Sequence, residues 1–255
     1  MMRAGELPRQ AGWALLGVAL ILGAWQGLVN WAGLPEVLLP APRAVLDSLW
    51  RSVGILPRHA GATAFVALGG FALAILAGTA IAAVMALSVL VSRMLYPNLL
   101  IFQLLPKVAL GPLFVVWLGI GVPSLLAFAT FVSVFPVAIG TLTGLKSADP
   151  GLIRLSRSLG ASEWQMFRHI RLPGALPFFF AGAKVAATMA VTGAVVGEFI
   201  SARAGLGWLV TQAAARADTA LMFAALAVLA ALGAALYGLV CLAEAAARRR
   251  WGTAA

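Results

Sequence analysis

Charge is what this chain has least of. Only 10% of its 255 residues are Asp, Glu, Lys or Arg, and only eight of those are acidic. A soluble domain carries about 25%. So few charges cannot cover a water-soluble surface, which excludes a soluble enzyme, a disordered tail and a nucleic-acid module together. The single cysteine, Cys241, excludes an intrachain disulfide and a cysteine metal cage. His59 and His169 stand alone and suggest no metal site. No Gly-Lys pair occurs anywhere, so the GxxxxGK[ST] phosphate loop is missing. No nucleophile–base pair is evident either, and no catalytic, cofactor-binding or metal-ligating residue is assigned.

What remains is apolar. Hydrophobic residues make up 62% of the chain, and mean hydropathy is +1.00. Crossing the roughly 30 Å hydrocarbon core takes about 20 apolar residues as a helix. Six such spans are expected, near Ala11–Trp31, Thr63–Leu90, Tyr96–Leu118, Leu125–Leu145, Phe178–Phe199 and Thr219–Leu242. The fold class is therefore all-α and polytopic, a single transmembrane unit over 1–255. The first apolar run exceeds the 7–15 residues of a leader's core and is followed by no small-residue cleavage site, so it is expected to stay as a helix. Between it and the second span, Leu34–Arg58 reads as an outer connection with an amphipathic helix around Ala44–Val53.

The net charge of +10 is distributed to set orientation. With the amino terminus inside, Arg3, Arg9, Arg93, Lys146, Arg154, Arg157, Arg168, Arg171, Arg248, Arg249 and Arg250 are inside. Only Arg43, Arg51, Arg58, Arg203 and Arg216 are outside. Both termini are expected in the cytoplasm. Trp13, Trp31, Trp208 and Trp251 fall near span ends, where interfacial aromatics belong. Basic residues at these ends meet lipid headgroups rather than nucleic acid.

Residues 146–177 are the one long polar segment. Asp149 and Pro150 read as N-cap and first residue of a helix that stops at Gly160. Ser162 and Gln165 form a capping-box pattern that opens a second short helix, expected to stop before Pro173. Leu152, Ile153, Leu155 and Leu159 give the first helix an apolar side, and Trp164, Phe167 and Ile170 give one to the second. Such an elbow either lies on lipid headgroups or offers aromatic anchors to a partner's groove.

This segment resembles the cytoplasmic signature loop of ABC importer permeases, EAA-x3-G-x9-I-x-LP. Gly160, Ile170, Leu172 and Pro173 match it at the right spacing, whereas Arg154-Leu155-Ser156 stands where the family has Glu-Ala-Ala. The stretches LLPKVALGPLFVVWLGIG (104–121) and VVGEFISARAGLGWLV (195–210) are similar to the subfamily that imports nitrate, sulfonates and taurine, and to importers of thiamine-precursor pyrimidines or riboflavin. The resemblance implies a multi-pass permease of the bacterial inner membrane that pairs with a second copy or homologue. It further implies two ATPase subunits that bind ATP and Mg from the cytoplasm, and a soluble substrate-binding protein outside. The residues it implies for ATPase coupling are Arg154, Leu155, Ser156, Gly160, Ala161, Trp164, Phe167, Ile170, Leu172 and Pro173.

Ionisable groups inside a membrane are functional suspects. Lys107 is expected halfway along the third span, beside the Gly111-Pro112 pair, where a cation suits an anionic substrate. Lys184 lies roughly 10 Å inside the fifth span, within snorkelling reach of the headgroups. Glu198, near the outer end of that span, reads either as an interfacial carboxylate in water or as part of a gate or path. Gly69-Gly70, Gly78 and Ala82-Ala83 read as close helix contacts. The alternative class is a secondary transporter or channel without ATPase partners. It would need paired ionisable groups at mid-membrane and repeated halves, neither of which is evident.

Overall fold

The computed structural model describes residues 7–251, which contain eleven α-helices and no strand. The helices are α1 (Leu7–Ala32), α2 (Pro42–Arg51), α3 (Leu56–Leu87), α4 (Val89–Leu104), α5 (Gly111–Leu118), α6 (Val122–Lys146), α7 (Pro150–Ser158), α8 (Glu163–Met166), α9 (Leu172–Ser201), α10 (Leu206–Ala215) and α11 (Thr219–Trp251). Continuous helices over Leu56–Leu87, Val122–Lys146, Glu163–Ser201 and Thr219–Arg250 are long and apolar enough to cross a membrane. α1 carries a shorter apolar stretch, Leu16–Ala32. All six apolar segments are thus helical.

The third departs from the continuous span expected of it. α4 and the segment Lys107–Leu118 meet at an angle of 93°. Leu105 is extended (φ −63°, ψ 140°) ahead of Pro106, as the proline ring demands of the residue before it. One turn of 3-10 helix, Lys107–Leu110, then leads into α5. The second span is also cut, at Ser88, whose hydroxyl caps α4 by accepting from the Val91 N–H.

The elbow's second helix likewise does not stop at Pro173. A π-helical turn over Phe167–Arg171 opens the hydrogen-bond ladder just ahead of the proline, and the helix continues into α9. The wider turn accommodates a ring that would otherwise strike the carbonyl four residues back.

α6 is the central element and packs against both α3 and α9. Small residues bring the three backbones together, as they do where lipid removes the hydrophobic drive between helices. Ala129 of α6 is held between Gly70 of α3 and Gly193 of α9. A methyl at Gly193 would stand 2.9 Å from the Ala129 Cα, and one at Gly70 2.6 Å from its Cβ. Gly78 packs as closely on Val137. The expected glycine contacts of α3 are present, and Gly140 and Gly144 of α6 add a GxxxG pair facing α9. α2 lies across α11 and buries Val45 and Ser48.

Candidate functional site: a capped elbow and a buried carboxyl knot

Local rules build the elbow. Asp149 Oδ1 accepts the Gly151 N–H at 2.7 Å and caps α7. At the other end Gly160 takes φ +81°, a left-handed conformation that glycine adopts without a Cβ clash. The Ala161 N–H reaches back to the Ser156 carbonyl at 3.0 Å and closes the helix. Ser162 and Gln165 form the reciprocal capping box of α8. Arg157 and Glu163 then bridge the two helices at 2.5 Å. This pair is exposed and adds little energy, but it restrains the angle.

The elbow is anchored by Met166, which is 1% exposed. Sequence reasoning passed over Met166 because nothing separates one apolar residue from its neighbours until packing is known. Outward, Leu155, Leu159 and Trp164 remain exposed at 56%, 80% and 67%. Trp164 stacks on Phe167 with centroids 5.7 Å apart. Arg154 and the signature Leu172 and Pro173 are placed along the same stretch, with Ser156, Ala161, Ile170, Leu172 and Pro173 half-buried. A rigid turn thus shows bulky apolar side chains that its own fold leaves uncovered.

The second constellation centres on Glu198. It is 2% exposed, so the interfacial carboxylate in water is replaced by a buried one. α3 begins at Leu56, well before the expected Thr63, and so carries both His59 and Thr63 to this point. The three side chains take the free N–H groups at the start of α10. Gly205 N–H donates to His59 Nδ1 (3.2 Å), Leu206 N–H to Thr63 Oγ1 (2.8 Å) and Gly207 N–H to Glu198 Oε2 (2.7 Å). The Thr63 hydroxyl in turn donates a hydrogen bond to Glu198 Oε2 at 3.1 Å. Helix N-termini always leave such donors unpaired. Here the partners come from two other helices instead of from the N-cap, since Gly205 has no side chain to offer.

Glycine is required on the facing side. Gly205 has φ +121°, and any Cβ there would overlap the Glu198 carboxyl. A methyl at Gly207 would lie 2.9 Å from Glu198 Oε2. Trp208 stacks on His59 at 5.3 Å. Trp208 thus joins this knot as a ring against His59. The sequence signal was present in the Gly-x-Gly at 205–207, seven to nine residues beyond Glu198, but the partners on α3 lie over 130 positions away.

Lys184 has a partner that its position in the sequence did not indicate. Its Nζ meets Glu244 Oε2 of α11 at 2.5 Å, while Arg248 holds Glu244 Oε1 at 2.6 Å. α11 continues beyond the expected end at Leu242, which brings Glu244 into register with α9. Lys107 lies at the α4–α5 break, half-buried, over the Phe135 ring at 5.7 Å. Phe135 in turn contacts Phe131, and Phe131 contacts Phe114, so the break is lined by aromatics. Lys107, Lys184 and Glu198 are not gathered into one site.

The architecture defines an all-helical, multi-pass membrane protein with a structured elbow joining two spans. The chain belongs to the family described as the binding-protein-dependent transport system inner membrane component, which residues 70–249 match. It is 37% identical over 238 residues to the riboflavin transport system permease protein RibX of Chloroflexus aurantiacus, covering 91% of this chain and 89% of the relative. It is 32% identical to the formylaminopyrimidine transport permease protein ThiX of Halalkalibacterium halodurans (84% and 86% covered). To the taurine transport system permease protein TauC of Escherichia coli it is 31% identical (88% and 84% covered). A chain of the MetNI methionine ABC transporter, solved in inward-facing conformations, shares the fold with TM-score 0.62 at 21% identity, covering 82% of this chain and 98% of that one. The protein is a permease subunit of an ABC importer.

Proposed function

We propose that the elbow at 146–177 is the coupling element through which two partner ATPase subunits drive transport. Both termini then lie in the cytoplasm, a second permease copy or homologue completes the path, and a soluble binding protein delivers substrate from outside. ATP and Mg belong to the ATPase partners. The observation that carries this reading is the exposed Trp164 with Leu155 and Leu159, held by caps at fixed angle on a polar turn between two spans. Large aromatic anchors of this kind dominate interface energies. The coupling residues are Arg154, Leu155, Ser156, Gly160, Ala161, Trp164, Phe167, Ile170, Leu172 and Pro173. Gly160→Pro or Trp164→Ala is expected to cut ATPase co-purification and uptake at least tenfold, an aromatic anchor being worth about 2 kcal/mol or more, while the helical content stays. Normal co-purification and uptake in both variants would leave the elbow as a lipid-facing turn.

Substrate is expected to be a small organic solute, either a sulfonate-, taurine- or nitrate-like anion or a heteroaromatic vitamin precursor. Relatives named for riboflavin, formylaminopyrimidine and taurine support that range. Among the path candidates, Lys184 and Glu198 are engaged within the fold, which favours Lys107 at its aromatic-lined break as the residue facing substrate.

A further inference from the structure

We propose that the groove between the elbow and the ends of α3 and α6 is a binding site for an anionic phospholipid, with its phosphate on Lys146 and Arg171 and an acyl chain along the wall. The proposal rests on the chain spanning a bilayer, and it shares Trp164 and Phe167 with the ATPase reading, so a lipid and a docked ATPase must be able to occupy the two sides of these rings together.

The groove has a volume of about 530 Å³, and Ala83, Ala86, Leu87, Leu145, Trp164 and Phe167 form its apolar surface. Lys146 and Arg171 stand on the same lining. Lys146 is shared with an adjoining depression of about 590 Å³ that adds Arg93. Among the described residues, none of these three cations has an acidic partner within ion-pair distance. Lys146 donates to Ser92 Oγ at 2.6 Å, which orients the ammonium and leaves its other N–H groups free. Glu163 is the one acid on the lining, and Arg157 already holds it.

Depth decides the class of ligand. Leu87 and Lys146 are the last residues of two spanning helices, so the cations lie where a bilayer places its headgroups. Ala83 and Ala86 lie up to one turn further along α3 and continue the apolar wall away from the cations. A peptide entering there would bring unpaired backbone groups into apolar surroundings, which is costly. A hydrocarbon chain brings none. A phosphodiester is matched by an ammonium and a guanidinium together, and basic pockets between spans are suited to acidic lipid headgroups.

The experiment uses the full chain purified in detergent with phosphatidylcholine and titrated with phosphatidylglycerol, read by native mass spectrometry and by thermal unfolding. Phosphatidylglycerol is expected to stay bound and raise the unfolding temperature. The triple variant Arg93→Gln/Lys146→Gln/Arg171→Gln is expected to weaken binding on the order of a hundredfold, at roughly fivefold per basic residue near an anionic surface. Ala86→Trp keeps every charge but fills the groove, and it is expected to lose the bound lipid as well. The control Arg168→Gln/Arg249→Gln/Arg250→Gln removes the same charge from the same end of the bundle outside the groove and is expected to bind as the wild type does. Four results would each overturn the proposal: a control as weak as the triple variant, equal retention of phosphatidylcholine, full competition by soluble glycerol phosphate, or displacement of the lipid when the ATPase or a second permease copy binds. The last would make the groove a protein interface.

Discussion

Thr63 shows how much one hydroxyl can organise. It is fully buried, accepts the Leu206 N–H and donates to Glu198, so it links α3, α9 and α10 in one group. Thr63→Val keeps the shape but strands the buried Leu206 N–H and takes from Glu198 Oε2 one of its donors, leaving it the Gly207 N–H. Such a loss costs about 1–3 kcal/mol, and unfolding in detergent micelles should shift down accordingly, while Thr63→Ser stays near the wild type. Equal stability of the two variants would remove the hydroxyl from the account. The Lys184–Glu244 pair makes a second residue-level case. Glu244→Leu alone leaves Lys184 facing apolar neighbours, and Lys184→Met alone leaves Glu244 with Arg248. Each single change should destabilise by roughly 1–3 kcal/mol, less than a fully buried pair because Lys184 keeps a quarter of its side chain exposed. The double variant should recover much of that loss, and a thermal-unfolding cycle without a coupling energy would count against the pair as an interhelical tie.

At the scale of elements, the broken third span is the feature with most functional weight. A straight helix would have put Lys107 at mid-depth on a continuous surface. The 93° break instead turns α5 away and leaves Lys107 over Phe135 in a cluster of aromatic rings. Prolines at 106 and 112 free backbone carbonyls, which a membrane tolerates only where protein or water receives them. If the break faces the path and substrate is anionic, Lys107→Met should cut uptake of the binding protein's ligand, with Lys107→Arg close to the wild type at matched membrane levels. Wild-type rates in both would remove Lys107 from the path. The elbow teaches the opposite lesson about elements. Its caps at Asp149, Gly160 and Ser162 were legible residue by residue, because capping is short-range chemistry. The continuation through Pro173 was not, because a π turn several residues earlier changes what the proline meets.

For the whole molecule, the six apolar segments and the excess of Lys and Arg on one set of loops predict a testable topology. Reporter fusions after Val53 and after Gly160 should report opposite sides, the first external and the second cytoplasmic. Two signals on one side would sink the arrangement. The helical bundle itself depends on backbone approach: α6 is close to both neighbours because glycine and alanine meet at Ala129, Gly140 and Gly144. Expectations placed these contacts on α3 at Gly70 and Gly78 but missed the α6–α9 pair, since a glycine's neighbour is invisible until helices are paired.

Composition and periodicity alone determined that this chain lives in a membrane as helices, and that its polar segment is a capped elbow. Both follow from local quantities: the cost of exposing apolar residues to water and the need of helix ends for partners. Only the tertiary structure decided that Glu198, Thr63 and His59 form one knot, that Lys184 belongs to Glu244, and that the third span is broken. These pairings join groups up to 146 positions apart. A buried carboxyl or ammonium accepts whichever partner packing brings within hydrogen-bond reach, and packing is set by the whole bundle rather than by the residues alongside it in the chain.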